Sequence, residues 1–272
     1  MKMFIDTGQC LWCGKTINEG AIFKNIPHIL PKSIGGTETC VDVCDDCNSY
    51  FGKATSKERL SCDHTVKEVL QICRLFLLGR DSKYKFSSTL FHIDSQAGKI
   101  KLKPNCTFSS RQITRQFKRG ICEAVMQKYH LLSGNGNEDR FDKVRRFTRY
   151  DEGDITFLYT LNKVVIALRE PISPSIMMGE EDIKKIDEYG MFTLHIYGLI
   201  LMVDLVPDTP LSTKQQYVNN TSNTLFSKEL TYRMDVLNDI NELDIFYSRF
   251  HNFRLALDEK NNVIIPSLRR PN

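Results

Sequence analysis

Two C-x-x-C pairs constrain this chain more than any other feature: Cys10-Leu11-Trp12-Cys13 and Cys44-Asp45-Asp46-Cys47. Two residues between thiolates let both sulfurs reach one ion from a tight turn, and two such turns complete a tetrahedral sulfur site. Gly14-Lys15 after the first pair suits a knuckle, because glycine tolerates the backbone conformation needed there. Cys10, Cys13, Cys44 and Cys47 are therefore the expected ligands of a structural zinc ion. Four thiolates close the coordination sphere and leave no position for water, so any chemistry needs a different centre. The chain carries nine cysteines. An odd number, partly in close pairs, points to metal binding in a reducing compartment rather than to a disulfide framework. Cys40 is near enough to substitute as a ligand, but its spacing to Cys44 is irregular. Cys62, Cys73, Cys106 and Cys122 sit in apolar or helical surroundings and read as core.

The 272 residues suffice for one large domain or two ordinary ones, and 41% apolar with 26% charged residues is a normal globular balance. The net charge of +4 gives no global basic field, so a nucleic-acid partner has to be argued from local patches. The longest apolar stretches, about 163–168 and 199–206, are far shorter than the roughly 20 residues of a membrane helix. No apolar run of signal-peptide length precedes the first cysteine pair. A soluble cytoplasmic protein is the expectation.

Composition divides the chain. Residues 1–60 are dense in cysteine, glycine and lysine and could hardly bury a core without a staple. Residues 61–83 read as a helical linker: Val66, Val69, Leu70, Cys73, Leu77 and Leu78 recur near helical spacing, with Gly79 as C-cap. Residues 84–272 read as a larger α+β domain with a mainly antiparallel sheet. Its expected elements are a hairpin over 84–103, turning at Asp94–Lys99, and a helix over 111–132. Ile113, Phe117, Ile121, Val125 and Leu132 form the apolar stripe of that helix. A second hairpin over 155–170 turns near Asn162, residues 191–206 read as two more strands or as one long strand bent at Gly198, and a charged helical tail spans 224–256.

Between the cysteine pairs lies Ile26-Pro27-His28-Ile29-Leu30-Pro31-Lys32-Ser33-Ile34-Gly35-Gly36, and after them Cys47-Asn48-Ser49-Tyr50-Phe51-Gly52-Lys53. Together, C-x-x-C-G-K, H-I-L-P-K-S-x-G-G and C-x-x-C-N-x-x-F-G-K resemble the HNH endonuclease family in its cysteine-clamped branch. The resemblance covers about the first 60 residues. It implies a ββα-metal motif of two strands and a helix, the helix running from the second pair to about Arg59. It also implies a metal-dependent nuclease that hydrolyses phosphodiester bonds, DNA more than RNA. His28 would be the general base that takes a proton from the attacking water, a role that suits histidine near neutrality. Asn48 would help hold a catalytic magnesium or manganese ion through its carbonyl oxygen.

The chain departs from the family at one important place. The acid that normally precedes the base and ligates the metal is replaced by Pro27, and Thr39 stands roughly where the family's middle asparagine belongs. Glu38, Asp42 and Asp45 are nearby acids. This departure leaves a second reading, a non-catalytic zinc-containing nucleic-acid-binding or assembly module that has lost the catalytic metal site. A third is a nuclease licensed by a protein partner in a defence or mobile-element system.

Beyond the motif, Arg111, Arg115, Lys118 and Arg119, then Lys143, Arg145, Arg146 and Arg149, are interleaved with Phe141, Phe147 and Tyr150. Such a pattern grips a phosphate backbone or forms a solvated face. Lys32, Lys53 and Lys57 are candidate phosphate contacts. His64, His92, His130, His195 and His251 have no sequence partners and receive no role.

Overall fold

A computed structural model describes residues 6–53, 59–78, 84–94, 99–161, 165–166, 172–225, 234–243, 254–257 and 263–264. The zinc-clamp segment opens with a knuckle in which Gln9 bridges Thr16, the Cys10 amide donates to Lys15 O, and Gly14 sits at φ +71°. A minimal antiparallel pair follows. His28 bridges Thr39, with Ile29 N donating to Glu38 O at 2.8 Å and Cys40 N to Pro27 O at 3.2 Å. The chain reverses between them through a 3₁₀ turn at Lys32–Ile34 and through Gly35 at φ +95°. Gly36 is required for a different reason, because a Cβ there would meet Leu30 O at 2.0 Å. Helix α1 (Asp45–Gly52) then starts on Cys44. It is shorter than the sequence suggests, ending at Gly52 rather than near Arg59.

Helix α2 (Cys62–Leu78), the hairpin β1 (Phe91–Asp94) and β2 (Lys99–Leu102), and helix α3 (Ser110–Ser133) follow. Ser109 caps α3 in a capping box with Gln112, and Gly134 closes it in the left-handed conformation. After α4 (Asp142–Arg145) the chain passes into a π-helical turn, Arg146–Tyr150. The main sheet joins β3 (Phe157–Leu161) with later strands, and β4 (Val165–Ile166) departs from it. Helix α5 (Glu180–Tyr189) precedes the hairpin β5 (Met191–Ile196) and β6 (Leu199–Asp204), whose turn places Tyr197 at φ +45° and Gly198 at φ +81°. Helix α6 (Leu211–Leu225), β7 (Asp235–Val236), β8 (Arg254–Leu257) and β9 (Val263–Ile264) complete the described elements. The four-stranded sheet has the order β5-β6-β3-β7 and its pairs are antiparallel.

Two sequence expectations fail here. Residues 155–170 are not a hairpin: β3 pairs with β6 and β7, whereas β4 pairs in parallel with β8. Local alternation reads a strand but not its partner. The tail contributes the short strands β7 and β8 and a 3₁₀ turn at Ile240–Leu243 where a helix was expected. Residues 226–233 and 244–253 of that tail, the Asn162 turn, and Lys57 and His251 lie outside the described residues.

The core is continuous. Trp12, Ile34 and Phe51 of the cysteine-rich segment belong to the same buried cluster as Val66 and Ile72 of α2, Phe117 and Val125 of α3, and Phe157 and Leu201 of the sheet. Helices α2 and α3 cross at Gly120, where an added Cβ would lie 2.4 Å from Val66 Cγ2 and 3.1 Å from Cys62 O. Close approach outweighs helix propensity at this position. Although alanine is intrinsically the better helix former by about 1 kcal/mol, Gly120→Ala is expected to destabilise the protein by about 1–3 kcal/mol through overpacking. Urea denaturation checks this; unchanged or raised stability would show that the crossing yields without strain.

Candidate active site and zinc centre

The four cysteines of the two pairs converge. Cys10, Cys13, Cys44 and Cys47 place their sulfurs within 4.8 Å of one another. Cys13 Sγ and Cys44 Sγ are 3.7 Å apart. A tetrahedral zinc with bonds of about 2.3 Å sets its sulfurs about 3.8 Å apart, so the donor set fits zinc in chemistry and spacing. The surroundings suit thiolates too. Cys44 N donates to Cys10 Sγ at 3.4 Å, and Arg149 Nε donates to Cys47 Sγ at 3.3 Å. The π turn delivers Arg149, whose guanidinium also lies 3.9 Å from the Tyr50 ring centroid. Cys40 stays outside the group, and burial pushes its thiol up to about 12. Cys62, Cys73 and Cys122 are buried in the core as expected, and Cys106 packs against it half-buried.

The zinc segment is clamped to α3 by polar contacts. His130, fully buried, holds Asp42 with Nε2 to Oδ2 at 2.9 Å, while Gly136 N donates to His130 Nδ1 at 3.1 Å. With Nδ1 accepting, Nε2 carries the proton given to Asp42. Burial would raise the Asp42 carboxyl, but the His130 and Thr7 hydrogen bonds outweigh it and hold the carboxyl below its usual range. Lys128 pairs with Glu38. Asp45 accepts from the amides of Lys24 and Asn25. Glu38, Asp42 and Asp45, the nearby acids that the sequence offers, are therefore committed elsewhere.

An open cavity of about 570 Å³ lies beside the knuckle, and both sequence-chosen residues line it: His28 from the first strand and Asn48 from the first turn of α1. Asn48 N donates to Cys44 O at 2.9 Å, so the helix start that carries the second cysteine pair also positions Asn48. Pro27 stands on the same wall and offers no side-chain ligand. Lys32 and Lys67 add positive charge to the lining.

Three further lining residues carry no motif signature: Asp63 and His64 at the start of α2, and Glu123 in the middle of α3. Burial raises Asp63 to about 6. Burial, then the charge of Asp63, raises Glu123 well above the ordinary carboxylate range. His64 is held through Nε2 to Thr89 Oγ1 at 2.7 Å, and burial lowers its pKa against the pull of Glu68. Asp63 and His64 follow the cysteine clamp closely enough to have been suspected. Glu123 was invisible, since one glutamate on a helix reads as solvated. A hard-metal site is compatible with these donors: Asn48 supplies an amide oxygen, and Glu123 Oε2 is buried with no hydrogen-bond partner among the described residues.

The arginine-rich pattern is largely structural. Arg115 and Arg119 pair with Asp151, Lys118 with Asp154, Lys143 with Asp208, Arg145 with Asp142 and Arg146 with Glu152. Phe141 and Phe147 are fully buried, while Tyr150 is exposed.

A four-cysteine cluster that could hold zinc, an antiparallel bridge pair in place of two full strands, and a short helix, with histidine and asparagine on one cavity, fit the class of zinc-stapled ββα modules. Residues 10–64 of this chain match the family model described as HNH endonuclease. No curated protein and no solved structure matches the chain.

Proposed function

We propose that this chain is a metal-dependent nuclease that hydrolyses phosphodiester bonds, DNA in preference to RNA. The observation that carries the reading is the shared cavity. His28 and Asn48 lie far apart in sequence, yet both line one open cavity beside the cysteine cluster, with Lys32 and Lys67. Those lysines suit a phosphate backbone.

In this reading His28 accepts a proton from water as the water oxygen bonds to phosphorus. The P–O3′ bond breaks with its electron pair on O3′, which takes a proton from solvent, leaving a 5′-phosphate and a 3′-hydroxyl. Asn48 would hold a magnesium or manganese ion by its carbonyl oxygen. Such an ion supplies positive charge for the phosphate and the departing oxygen. The cysteine cluster takes no part in these steps, because its zinc would have no open position.

Supercoiled plasmid incubated with the purified full chain and Mn²⁺ or Mg²⁺ tests the reading, with a single-stranded RNA alongside. Nicking that requires the added metal is expected. Asn48→Ala should shift the metal concentration for half-maximal rate upward by about tenfold or more, with a smaller change in the rate at saturation. Absence of cleavage of either nucleic acid would favour the binding-module reading, which one observation supports: Pro27 leaves the usual acid position on the cavity wall without a ligand.

A further inference from the structure

Pro27 stands where a carboxylate would reach the cavity, yet the cavity has carboxylates from another source. Asp63 in the first turn of α2 and Glu123 in the middle of α3 both line it. The helix crossing brings them together. Val66, one turn after Asp63, meets Gly120, one turn before Glu123, and only a residue without Cβ permits that approach.

Glu123 is 6% exposed. Its Oε1 accepts from Gln127 Nε2 at 3.1 Å. Its Oε2 is buried without a hydrogen-bond partner among the described residues. Arg119, one turn away, is committed to Thr148 O, Tyr50 Oη and Asp151. Asp63 makes no hydrogen bond or ion pair with a described residue. A carboxylate oxygen withdrawn from water without a donor is costly, and such groups in folded proteins ordinarily meet a donor or a cation. Glu123 Oε2 and the Asp63 carboxylate on one cavity wall form a hard-oxygen donor pair, suited to magnesium or manganese rather than to the zinc of the thiolates.

We propose that Asp63 and Glu123 bind a divalent cation of the magnesium or manganese class in the cavity shared with His28 and Asn48, replacing the carboxylate absent at Pro27. The inference rests on the nuclease reading for the cation's purpose, and on the two helices for its place. It moves the carboxylates of the metal site out of the cysteine-clamped segment and onto α2 and α3.

Mn²⁺ binding to the zinc-loaded full chain, without nucleic acid, tests it. Free Mn²⁺ is followed by its electron paramagnetic resonance signal, and zinc content is measured in parallel. Wild type is expected to bind one Mn²⁺ beyond its zinc. Glu123→Gln and Asp63→Asn should each weaken that binding by about tenfold or more while zinc content stays unchanged. Without Mn²⁺, Glu123→Gln should melt at or above the wild-type temperature, because an amide is cheaper to bury than a carboxylate. Wild type should gain thermal stability with Mn²⁺ and Glu123→Gln should gain less. Asp63→Asn, half-exposed, keeps the test open should the buried substitution disturb folding. Wild type that binds no Mn²⁺, or variants that bind it as wild type does, would overturn the proposal. Nicking with unaltered metal dependence in both variants would overturn it and leave the nuclease reading standing. Carboxylate-dependent Mn²⁺ binding in a chain that cuts nothing would support it while the nuclease reading fell.

Discussion

His28→Ala is expected to slow phosphodiester cleavage by about 10²–10⁴-fold, the range of a lost general base, while folding and metal binding stay intact. The backbone around His28 is fixed by its bridge to Thr39 and by the amide of Ile29 on Glu38 O, and neither contact uses the imidazole. The side chain is half-buried on the cavity wall, so its removal opens no void in the core. Nothing in the zinc centre can stand in for it, since four thiolates fill that ion's coordination sphere. The informative comparison is His64, the other histidine of the lining, whose Nε2 is occupied by Thr89. Steady-state nicking rates of both alanine variants at saturating Mn²⁺ decide between them. A rate at His28→Ala equal to wild type sinks the general-base assignment, and a larger loss at His64→Ala transfers it.

Removal of zinc should be the most damaging change to the fold. One equivalent of zinc is expected in the purified protein, and Cys44→Ser or a strong chelator should abolish the cooperative structure of the cysteine-rich segment. Structural zinc contributes about 10–16 kcal/mol of apparent binding energy, comparable with the whole stability of a typical domain at about 5–15 kcal/mol. The segment has little regular structure to replace it: two isolated bridge pairs, two 3₁₀ turns and a short helix. The damage should spread. Trp12 and Phe51 stack edge to face at 5.2 Å inside the cluster that also contains Val66 and Phe117. His130 would lose its buried partner Asp42, and Arg149 its thiolate at Cys47. Hydrogen exchange should therefore accelerate along α2 and α3 as well as through residues 10–52. Protein that purifies without zinc and melts as sharply as expected for the loaded form would refute the assignment.

Some of this molecule follows from short-range sequence alone. The spacing of Cys10, Cys13, Cys44 and Cys47 determines the four-sulfur cluster that could hold zinc, because metal geometry leaves few ways to satisfy two C-x-x-C turns. Pro31 and Gly35-Gly36 determine the reversal after His28, since Gly36 sits against Leu30 O where no Cβ fits. The apolar stripe from Ile113 to Val125 determines α3, and Gly198 marks a break in 191–206 that the structure makes a hairpin turn between β5 and β6. Each is a local rule, satisfied within one turn, one strand pair or one coordination sphere.

The tertiary structure decided the rest. Lys118 and Arg119 read as part of a phosphate-gripping or solvated face, yet both are buried, as are Lys128 and His130 on the same helix. The cysteine-rich segment supplies Glu38, Asp42 and Tyr50 as partners, the π turn supplies Thr148 O, and the stretch after it supplies Asp154. No periodicity distinguishes a charged face meeting water from one meeting complementary charge, because the partner lies far away in sequence. The sheet order has the same cause: β3 finds β6 and β7 across long separations, so its alternation could not name them. The cavity is the sharpest case. His28 and Asn48 were legible because a motif fixes them, whereas Asp63 and Glu123 face the same space only because Gly120 lets two helices close to contact. Sequence specifies which donors a chain carries; packing decides which of them share a cavity.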